Sequence, residues 1–392
     1  MISFSLDEEQ QIIQETVRKF AAEWVRPQLR EWERAGTVSD EARRAFHELG
    51  LGLLEVPEAL GGAGASAVTA ALVQEELGFG DAGAAVALWS PHLVTAALVE
   101  LGDEAQARRF FSRFAESSVR LGAVAYSERG TTPLEGFSTV AVKRGDGYSL
   151  SGTKAFVVNG GCADLTVVFA QIEPGRGWGG VGAWVVEAGM PGMRAGARHE
   201  LLGLDAAHIA EVVFDGCLVP EENRLRGGPH GLPKGVQRYF ARAALMTAAR
   251  QVGLARAAYE FALGYTQERR AFGKPVAHFQ AIAFTLAEML MDVEAARWMV
   301  WRAAASQKLD EVALAATHAN EAAWRVADQA VQLLGGAGYV QDYPVEKWLR
   351  DTKALALTAP TDQLSQLAVA SAELGHALDG GWPSSTIQPM VT

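Results

Sequence analysis

The sequence is poor in cysteine, and it has no basic stripe along its length. The only two cysteines among 392 residues are Cys162 and Cys217, and neither has a Cys or His partner at metal-binding spacing. No metal site and no disulfide framework are therefore predicted. The formal net charge of −11 argues against nucleic acid as a partner, because that function requires clustered positive charge.

Long apolar runs and targeting signals are also missing from the sequence. No run of about 18 apolar residues occurs, so no membrane span is predicted. The first residues, MISFSLDEEQQ, become charged almost at once, which is not typical of a secretory signal peptide. We therefore expect a cytoplasmic, reducing location.

Three regions of different patterning follow one another along the chain. Residues 1–120 and 229–392 carry apolar residues at helical spacing, whereas residues 121–228 carry alternating, β-branched runs divided by Gly-Asp-Gly and Asn-Gly-Gly turns. A chain of this length, 49% hydrophobic, can bury a large core in two or three domains. The pattern predicts an N-terminal α-helical domain, a middle antiparallel β-sheet domain and a C-terminal helical domain.

The stretch VADQAVQLLGGAGYVQDYPVEKWLRDTK, residues 326–353, contains the most informative motif. An apolar helical pattern ends at Gly335, and a second helix is predicted after Pro344. The letters QLLGGAGY and YPVEKWLRD closely resemble the signature of the acyl-CoA dehydrogenase family, and other motifs follow in the expected order from residue 1 to about residue 375. The resemblance implies an α+β fold whose last region is a four-helix bundle.

The resemblance also implies a bound FAD. The segment AYSERG resembles a flavin-contacting family motif, KAFVVN resembles KxWITN, and ERRAFGKPVAHFQ resembles ERxxFGKPxxxxQ. Phe156 replaces the tryptophan that covers the flavin, and Val158 replaces the threonine whose hydroxyl faces flavin N5. Some of the implied FAD contacts are made across a subunit boundary. The residues implied in FAD binding are Tyr126, Ser127, Phe156, Val158, Arg269, Phe272, Gln280, Gln332, Leu333, Gly335, Gly336, Thr361 and Gln363.

The residues that would supply a catalytic base depart from the family pattern. Ala359 occupies the position of the usual glutamate, and Ala243 occupies the position of the base in other members. Among the remaining candidates, Asp362 is interpreted as a helix N-cap or as a base. His92 is interpreted as a core residue or, if exposed, as a base with a pKa near the working pH.

The resemblance implies an FAD-dependent oxidoreductase acting on an acyl thioester, carried by CoA or by a carrier protein, with a non-standard base. Two alternatives remain open at this point. The chain is a base-less subunit of a heteromer with a paralogue, or it is a flavin oxidase or monooxygenase on the same fold. The resemblance also implies a homo-oligomer, a dimer or a homotetramer, and an electron acceptor such as an electron-transfer flavoprotein.

Overall fold

The computed structural model describes residues 5–115, 120–130, 137–174, 176–358 and 361–375. The base position Ala359 lies outside these described residues. The described chain is built from an N-terminal group of helices, a central sheet and a C-terminal group of long helices.

The N-terminal region consists of seven α-helices within the described residues, and three of them are mostly buried. Side-chain caps start several of them; Ser66, for example, accepts a hydrogen bond from Thr69 N (3.2 Å), and Asp81 accepts one from Ala84 N (2.8 Å). The helix that Ser66 caps is buried on nearly all sides, as expected for a core helix. The helices are α1 (Glu8–Phe20), α2 (Leu29–Ala35), α3 (Asp40–Glu48), α4 (Ala67–Gly80), α5 (Ala82–Leu88), α6 (Ser90–Leu101) and α7 (Glu104–Ala115).

The central sheet is mostly antiparallel and has the order β6-β7-β3-β2-β4-β5-β8. Strand β1 joins it by parallel pairing with β4, and a single β2–β4 bridge is also parallel. Strand β4 is buried along its whole length, so both faces of the sheet are covered at this strand. The strands are β1 (Gly122–Ala125), β2 (Val140–Arg144), β3 (Gly147–Val158), β4 (Leu165–Gln171), β5 (Val181–Glu187), β6 (Met193–Arg198), β7 (Ile209–Pro220) and β8 (Arg224–Leu225).

Helix α8 is the central element of the C-terminal region. It packs against α10 and α9 of its own region and also against α4 and α6, so it joins the two helical regions. Helix α10 ends at Leu334, and Gly335 follows with φ 59°, which confirms the predicted glycine stop. The elements are α8 (Leu232–Glu268), β9 (Arg270–Ala271), β10 (Lys274–Pro275), α9 (Gln280–Ser306), α10 (Leu309–Leu334), α11 (Val345–Ala356) and α12 (Asp362–Leu374).

A buried ionic network connects all three regions. The Lys347 ammonium contacts the Asp81 carboxylate at the start of α5 and the Asp351 carboxylate (2.6 Å) one turn further along α11. The second oxygen of Asp351 accepts a hydrogen bond from Leu204 N (2.8 Å), which belongs to the sheet region. Burial alone would lower the pKa of Lys347, but the two carboxylates raise it overall. The lysine is therefore charged and fully paired.

Within the described ranges, no single helix is long and apolar enough to cross a membrane. The bent pair α5 and α6 reaches that length and composition only when the two helices are taken together. Most residues of both helices are buried in the protein.

Candidate functional site

A cavity of about 630 Å³ lies where the N-terminal helices, the sheet and α8 meet. Its lining is mainly apolar, with a few polar groups, as expected for a small-molecule site. The chain segments that line it come from all three regions. The residues predicted from the sequence that line this cavity are Tyr126, Ser127, Phe156, Val158, Thr361, Gln363, His92 and Ala243.

The local backbone turns the Phe156 side chain toward the cavity. The register of β3 against β7 shifts between Lys154 and Val157, and Phe156 has φ 55°, which is unusual for a residue with a side chain. The Phe156 ring remains 51% exposed and stacks on the His199 ring at a centroid distance of 4.4 Å. The Phe156 N–H donates to His199 Nε2 (3.1 Å). This aromatic surface is therefore fixed in place and still open to a ligand.

A buried ion pair holds the two flavin-like segments together. Lys154 Nζ lies 2.7 Å from Glu128 Oε1, and it also donates to Tyr126 O (3.2 Å). The next residue, Ala155, donates its N–H to Ser127 O (2.8 Å). The AYSERG and KAFVVN segments, which the resemblance associates with the flavin, are thus joined by contacts of Lys154 and Ala155.

The two charges of this pair respond differently to burial. Burial alone would raise the pKa of Glu128, but Lys154 and the hydrogen bonds from Ser138 and Thr139 lower it to about 2. Burial lowers the pKa of Lys154 to about 8, and Glu128 offsets only part of that effect. The Glu128 carboxylate accepts hydrogen bonds from several donors. Among the described residues, Glu128 is the carboxylate that pairs with the Lys154 ammonium.

Helix α12 begins beside the cavity, and its start corrects one interpretation. Thr361 occupies the N-cap position but makes no side-chain capping hydrogen bond, and its side chain lines the cavity together with Gln363. Asp362 is the first helical residue, so its interpretation as the N-cap is wrong. Its carboxylate accepts hydrogen bonds from Asn320 Nδ2 (3.1 Å) and Gln366 Nε2 (2.8 Å) and does not line the cavity.

His92 lines the cavity but is buried rather than exposed. Its Nε2 atom lies 2.6 Å from Leu51 O, and its ring stacks on Trp89 at 3.5 Å between centroids. A carbonyl oxygen can only accept, so Nε2 carries the proton and Nδ1 is left with a lone pair. Burial lowers the pKa of His92 to about 3, although the Leu51 carbonyl acts in the opposite direction. A neutral His92 can accept a hydrogen bond, but it is a weak base.

A group of charged and polar residues in the cavity lining was not predicted from the sequence. We define the charged end as Glu55, His92, Arg242 and Arg250, which all line the cavity. Arg242 pairs with Glu55 (3.3 Å) and also with Glu100 (3.0 Å). Arg250 donates to the Gln74 side chain and makes no ion pair with a carboxylate in the described part of the chain. The sequence shows both arginines, but their common location depends on tertiary packing.

The remaining residues predicted to contact FAD do not line this cavity. Six of the seven are exposed and Leu333 is half-buried; Phe272, for example, is 95% exposed. Gly335 and Gly336 have open space where a side chain would lie, so packing against the described residues does not require glycine at either position. Their contact with a cofactor stays a prediction. The seven are Arg269, Phe272, Gln280, Gln332, Leu333, Gly335 and Gly336.

The cavity residues fit an isoalloxazine ring, as the resemblance implies. Phe156 and Val158 supply an aromatic and an aliphatic wall, and the hydroxyls of Ser127 and Thr361 supply polar contacts. The start of α12 adds backbone N–H groups, which have no partner within the helix and favour negative charge. A flavin requires this combination of apolar walls and hydrogen-bond donors.

Comparisons with known proteins give the same assignment along most of the chain. Three family models match in order, described as "Acyl-CoA dehydrogenase, N-terminal domain" at residues 7–118, "middle domain" at 123–217 and "C-terminal domain" at 232–374. Cyclohex-1-ene-1-carbonyl-CoA dehydrogenase of Syntrophus aciditrophicus is 34% identical over 374 residues, which cover 92% of this chain and 89% of that protein.

Solved structures extend this similarity to the fold. The butyryl-CoA dehydrogenase of Megasphaera elsdenii is 32% identical, with a TM-score of 0.89 over 95% of this chain and 100% of its own. A chain in the structure described as the electron transferring flavoprotein of Acidaminococcus fermentans has the same identity, TM-score and coverage. The predicted fold, cofactor and enzyme class are confirmed. The chain belongs to the acyl-CoA dehydrogenase family and is an FAD-dependent oxidoreductase.

Proposed function

We propose that the protein oxidises the acyl group of a thioester, carried by CoA or by a carrier protein, through α,β-dehydrogenation or a variant of it with a non-standard base. One observation carries the proposal. A single cavity collects the flavin-like wall around Phe156 and the face of α8 that contains Ala243. A substrate in this cavity can therefore contact both surfaces at once.

Ser127, Phe156, Val158, Thr361 and Gln363 would hold the flavin ring of FAD. When bound, FAD supplies an acceptor for the hydride that leaves the substrate β-carbon. The protein's own part is to place the acyl group against that ring and to keep water away. The mainly apolar lining of the cavity supports both roles.

Both carboxylates that line the cavity are already paired with a cation, which supports a non-standard base. Among the described residues, only Glu55 and Glu128 line the cavity as carboxylates. Glu128 is bound to Lys154 and its pKa is about 2, while Glu55 is paired with Arg242. Neither is a free carboxylate, and alanine stands at position 243, where some family members carry their base.

The same observation favours a second candidate function. In a heteromer with a paralogue, this chain would bind FAD while the partner supplies the base. A flavin oxidase or monooxygenase on this fold is the remaining alternative, since such chemistry does not need a carboxylate at positions 243 or 359. Both alternatives are distinguished by the experiment below.

We also propose that the protein is a homo-oligomer, a dimer or a tetramer, located in the cytoplasm. The exposed group that includes Arg269, Phe272 and Gln332 supports association, because these residues resemble contacts to a neighbouring subunit's FAD. An electron-transfer flavoprotein is the proposed electron acceptor. The similarity to a chain in the Acidaminococcus fermentans structure supports an acceptor of this kind.

Anaerobic reduction of the bound flavin tests the function directly. The FAD-loaded protein is titrated with a panel of acyl-CoA and acyl-carrier substrates while the flavin absorbance is recorded. Bleaching by at least one thioester is expected. Absence of bleaching, with bleaching restored by a co-purifying paralogue, would replace the proposal by the heteromer. Rapid reoxidation of the chemically reduced flavin by oxygen, without any bleaching, would favour the oxidase.

A further inference from the structure

Arg250 is a buried guanidinium that donates to a neutral side chain. It is 4% exposed and donates to the neutral Gln74 side chain, and no carboxylate of the described segments forms an ion pair with it. Burial lowers its pKa to about 9, and Glu55 offsets this only in part. A buried guanidinium usually has a charged or strongly accepting partner. Since Arg250 lines the cavity, a ligand can supply that partner.

His92 adds a second incompletely satisfied group at the same end. It is 2% exposed, and its Nδ1 atom has no hydrogen-bond partner among the residues described. Because Nε2 donates to Leu51 O, Nδ1 is an acceptor that needs a donor. His92 on α6 and Arg250 on α8 line the same cavity, and the two helices pack against each other.

The charged end can contact a narrow terminal group of a ligand rather than its larger part. Arg250 and His92 are almost completely buried, so only a slender part of a bound molecule reaches them. The wall at Phe156 is instead half exposed. An acyl chain with its thioester toward Phe156 would therefore present its far end to Arg250.

The spacing along α8 defines how far that end lies from the reacting carbons. Ala243 and Arg250 are seven residues apart, which is two helical turns or about 10.5 Å. Met246 and Thr247, one turn from each, also line the cavity, so one face of α8 forms a continuous wall. The acyl tail can follow this wall.

We propose that the cavity selects an acyl group with a hydroxyl at its far end, which accepts a hydrogen bond from Arg250 and donates one to His92 Nδ1. This inference rests on the proposed function, because it assumes that an acyl thioester occupies the cavity. A hydroxyl satisfies both groups at once. A methyl end satisfies neither, and a carboxylate satisfies Arg250 but sets an acceptor against His92 Nδ1.

Calorimetric titration of the FAD-loaded protein, under anaerobic conditions, tests the selection. The three ligands are hexanoyl-CoA, 6-hydroxyhexanoyl-CoA and adipoyl-CoA, which differ only at the far end. We expect 6-hydroxyhexanoyl-CoA to bind at least about tenfold more tightly than hexanoyl-CoA, since the hydrogen bond to a charged donor is gained. We also expect it to bind more tightly than adipoyl-CoA.

Variants identify which side chain is responsible. Arg250→Gln should remove most of the preference for the hydroxyl, measured as the ratio of the 6-hydroxyhexanoyl-CoA and hexanoyl-CoA affinities of that variant. Arg238→Gln is the matched control, because Arg238 lies on the same helix, pairs with Glu100 (2.7 Å) and does not line the cavity. His92→Phe should reduce the preference as well. The ratio of two affinities measured on the same variant cancels any general loss of stability.

Each result decides for or against the proposal. Equal or tighter binding of hexanoyl-CoA overturns the selection but leaves the proposed function standing, because a thioester still binds. Tightest binding of adipoyl-CoA also overturns it and indicates an anion site. An unchanged preference in Arg250→Gln removes the role of Arg250. If none of the three thioesters binds, the inference and the proposed function both fail.

Discussion

Replacing Glu128 by Gln should strongly destabilise the protein, because it leaves the Lys154 ammonium buried without an opposite charge. Lys154 is 0% exposed, and its ordinary pKa is 10.5. The native protein already bears most of the cost of burying this lysine, because its pKa is about 8. A variant that folds with a neutral amine therefore loses, at pH 7, only the unit between pH 7 and 8, or about 1.36 kcal/mol. A variant that keeps the unpaired charge loses more, since measured losses for broken buried pairs are about 3–5 kcal/mol. We expect the free energy of unfolding, measured with urea, to decrease by about 1–5 kcal/mol.

The pH dependence of this variant provides an independent check. The pKa of Lys154 is about 8 in the native protein and falls further without Glu128. Between that lower pKa and pH 8, the unfolded variant binds more protons at Lys154 than the folded one. Its free energy of unfolding therefore rises with pH over this interval, while that of the native protein is nearly constant with respect to this group. The deficit of Glu128→Gln should shrink as the pH increases from neutral to 8.

Two further variants give the controls for this experiment. Lys143→Met breaks the exposed pair of Lys143 with Glu221 (2.5 Å) and should cost at most about 1 kcal/mol. Combining Glu128→Gln with Lys154→Met removes the uncompensated charge and should recover much of the loss. A loss below about 1 kcal/mol for Glu128→Gln, or a deficit that does not change with pH, would refute the argument.

The other predictions concern the cofactor and the base. Arg269→Ala should weaken FAD binding by about 1.5–3 kcal/mol in a fluorescence titration of the apoprotein, whereas its exposed neighbour Arg270→Ala should not; equal effects would remove the specific role of Arg269. Ala359→Glu should increase flavin reduction by a simple acyl-CoA by about 10²–10⁴-fold, and a folded, FAD-loaded variant that gains nothing would oppose the dehydrogenase interpretation. Asp362→Asn should cost about 0.5–1.5 kcal/mol of unfolding free energy and leave flavin reduction intact; loss of reduction would instead identify Asp362 as the base.

The fold was predictable because its signals are local or are shared with known relatives. The helical spacing of apolar residues, the strands separated by turns and the end of a helix at Gly335 can all be recognised in the sequence. The family motifs follow one another in the order known from relatives, and they predict the same elements. The structure follows this order, and the two parallel strand pairings at β4 are a detail that alternation alone does not reveal.

The electrostatics of the site were not predictable, because they depend on burial and on distant partners. The sequence permits His92 to be an ordinary histidine, but burial keeps its ring neutral, and the hydrogen bond from Nε2 to Leu51 O leaves Nδ1 as an acceptor. In the same way, the sequence around Asp362 is typical of a helix N-cap, but in the structure its carboxylate accepts hydrogen bonds from Asn320 and Gln366 instead. The register shift that turns the Phe156 side chain toward the cavity cannot be recognised from the alternation of residues in the sequence. Such features arise only when the strands and helices pack.

The buried network around Lys347 has a consequence for the order in which the chain acquires structure during synthesis. Asp81 and Lys347 are separated by 266 positions, and at about 5–20 residues per second the ribosome needs roughly 13–53 s to cover that distance. During this time, the aspartate that starts α5 has no lysine to neutralise it. The N-terminal helices therefore lack this ion pair until Lys347 has been synthesised. We expect them to stay loosely packed, and exposed to chaperones, until the segment with Lys347 has left the ribosome.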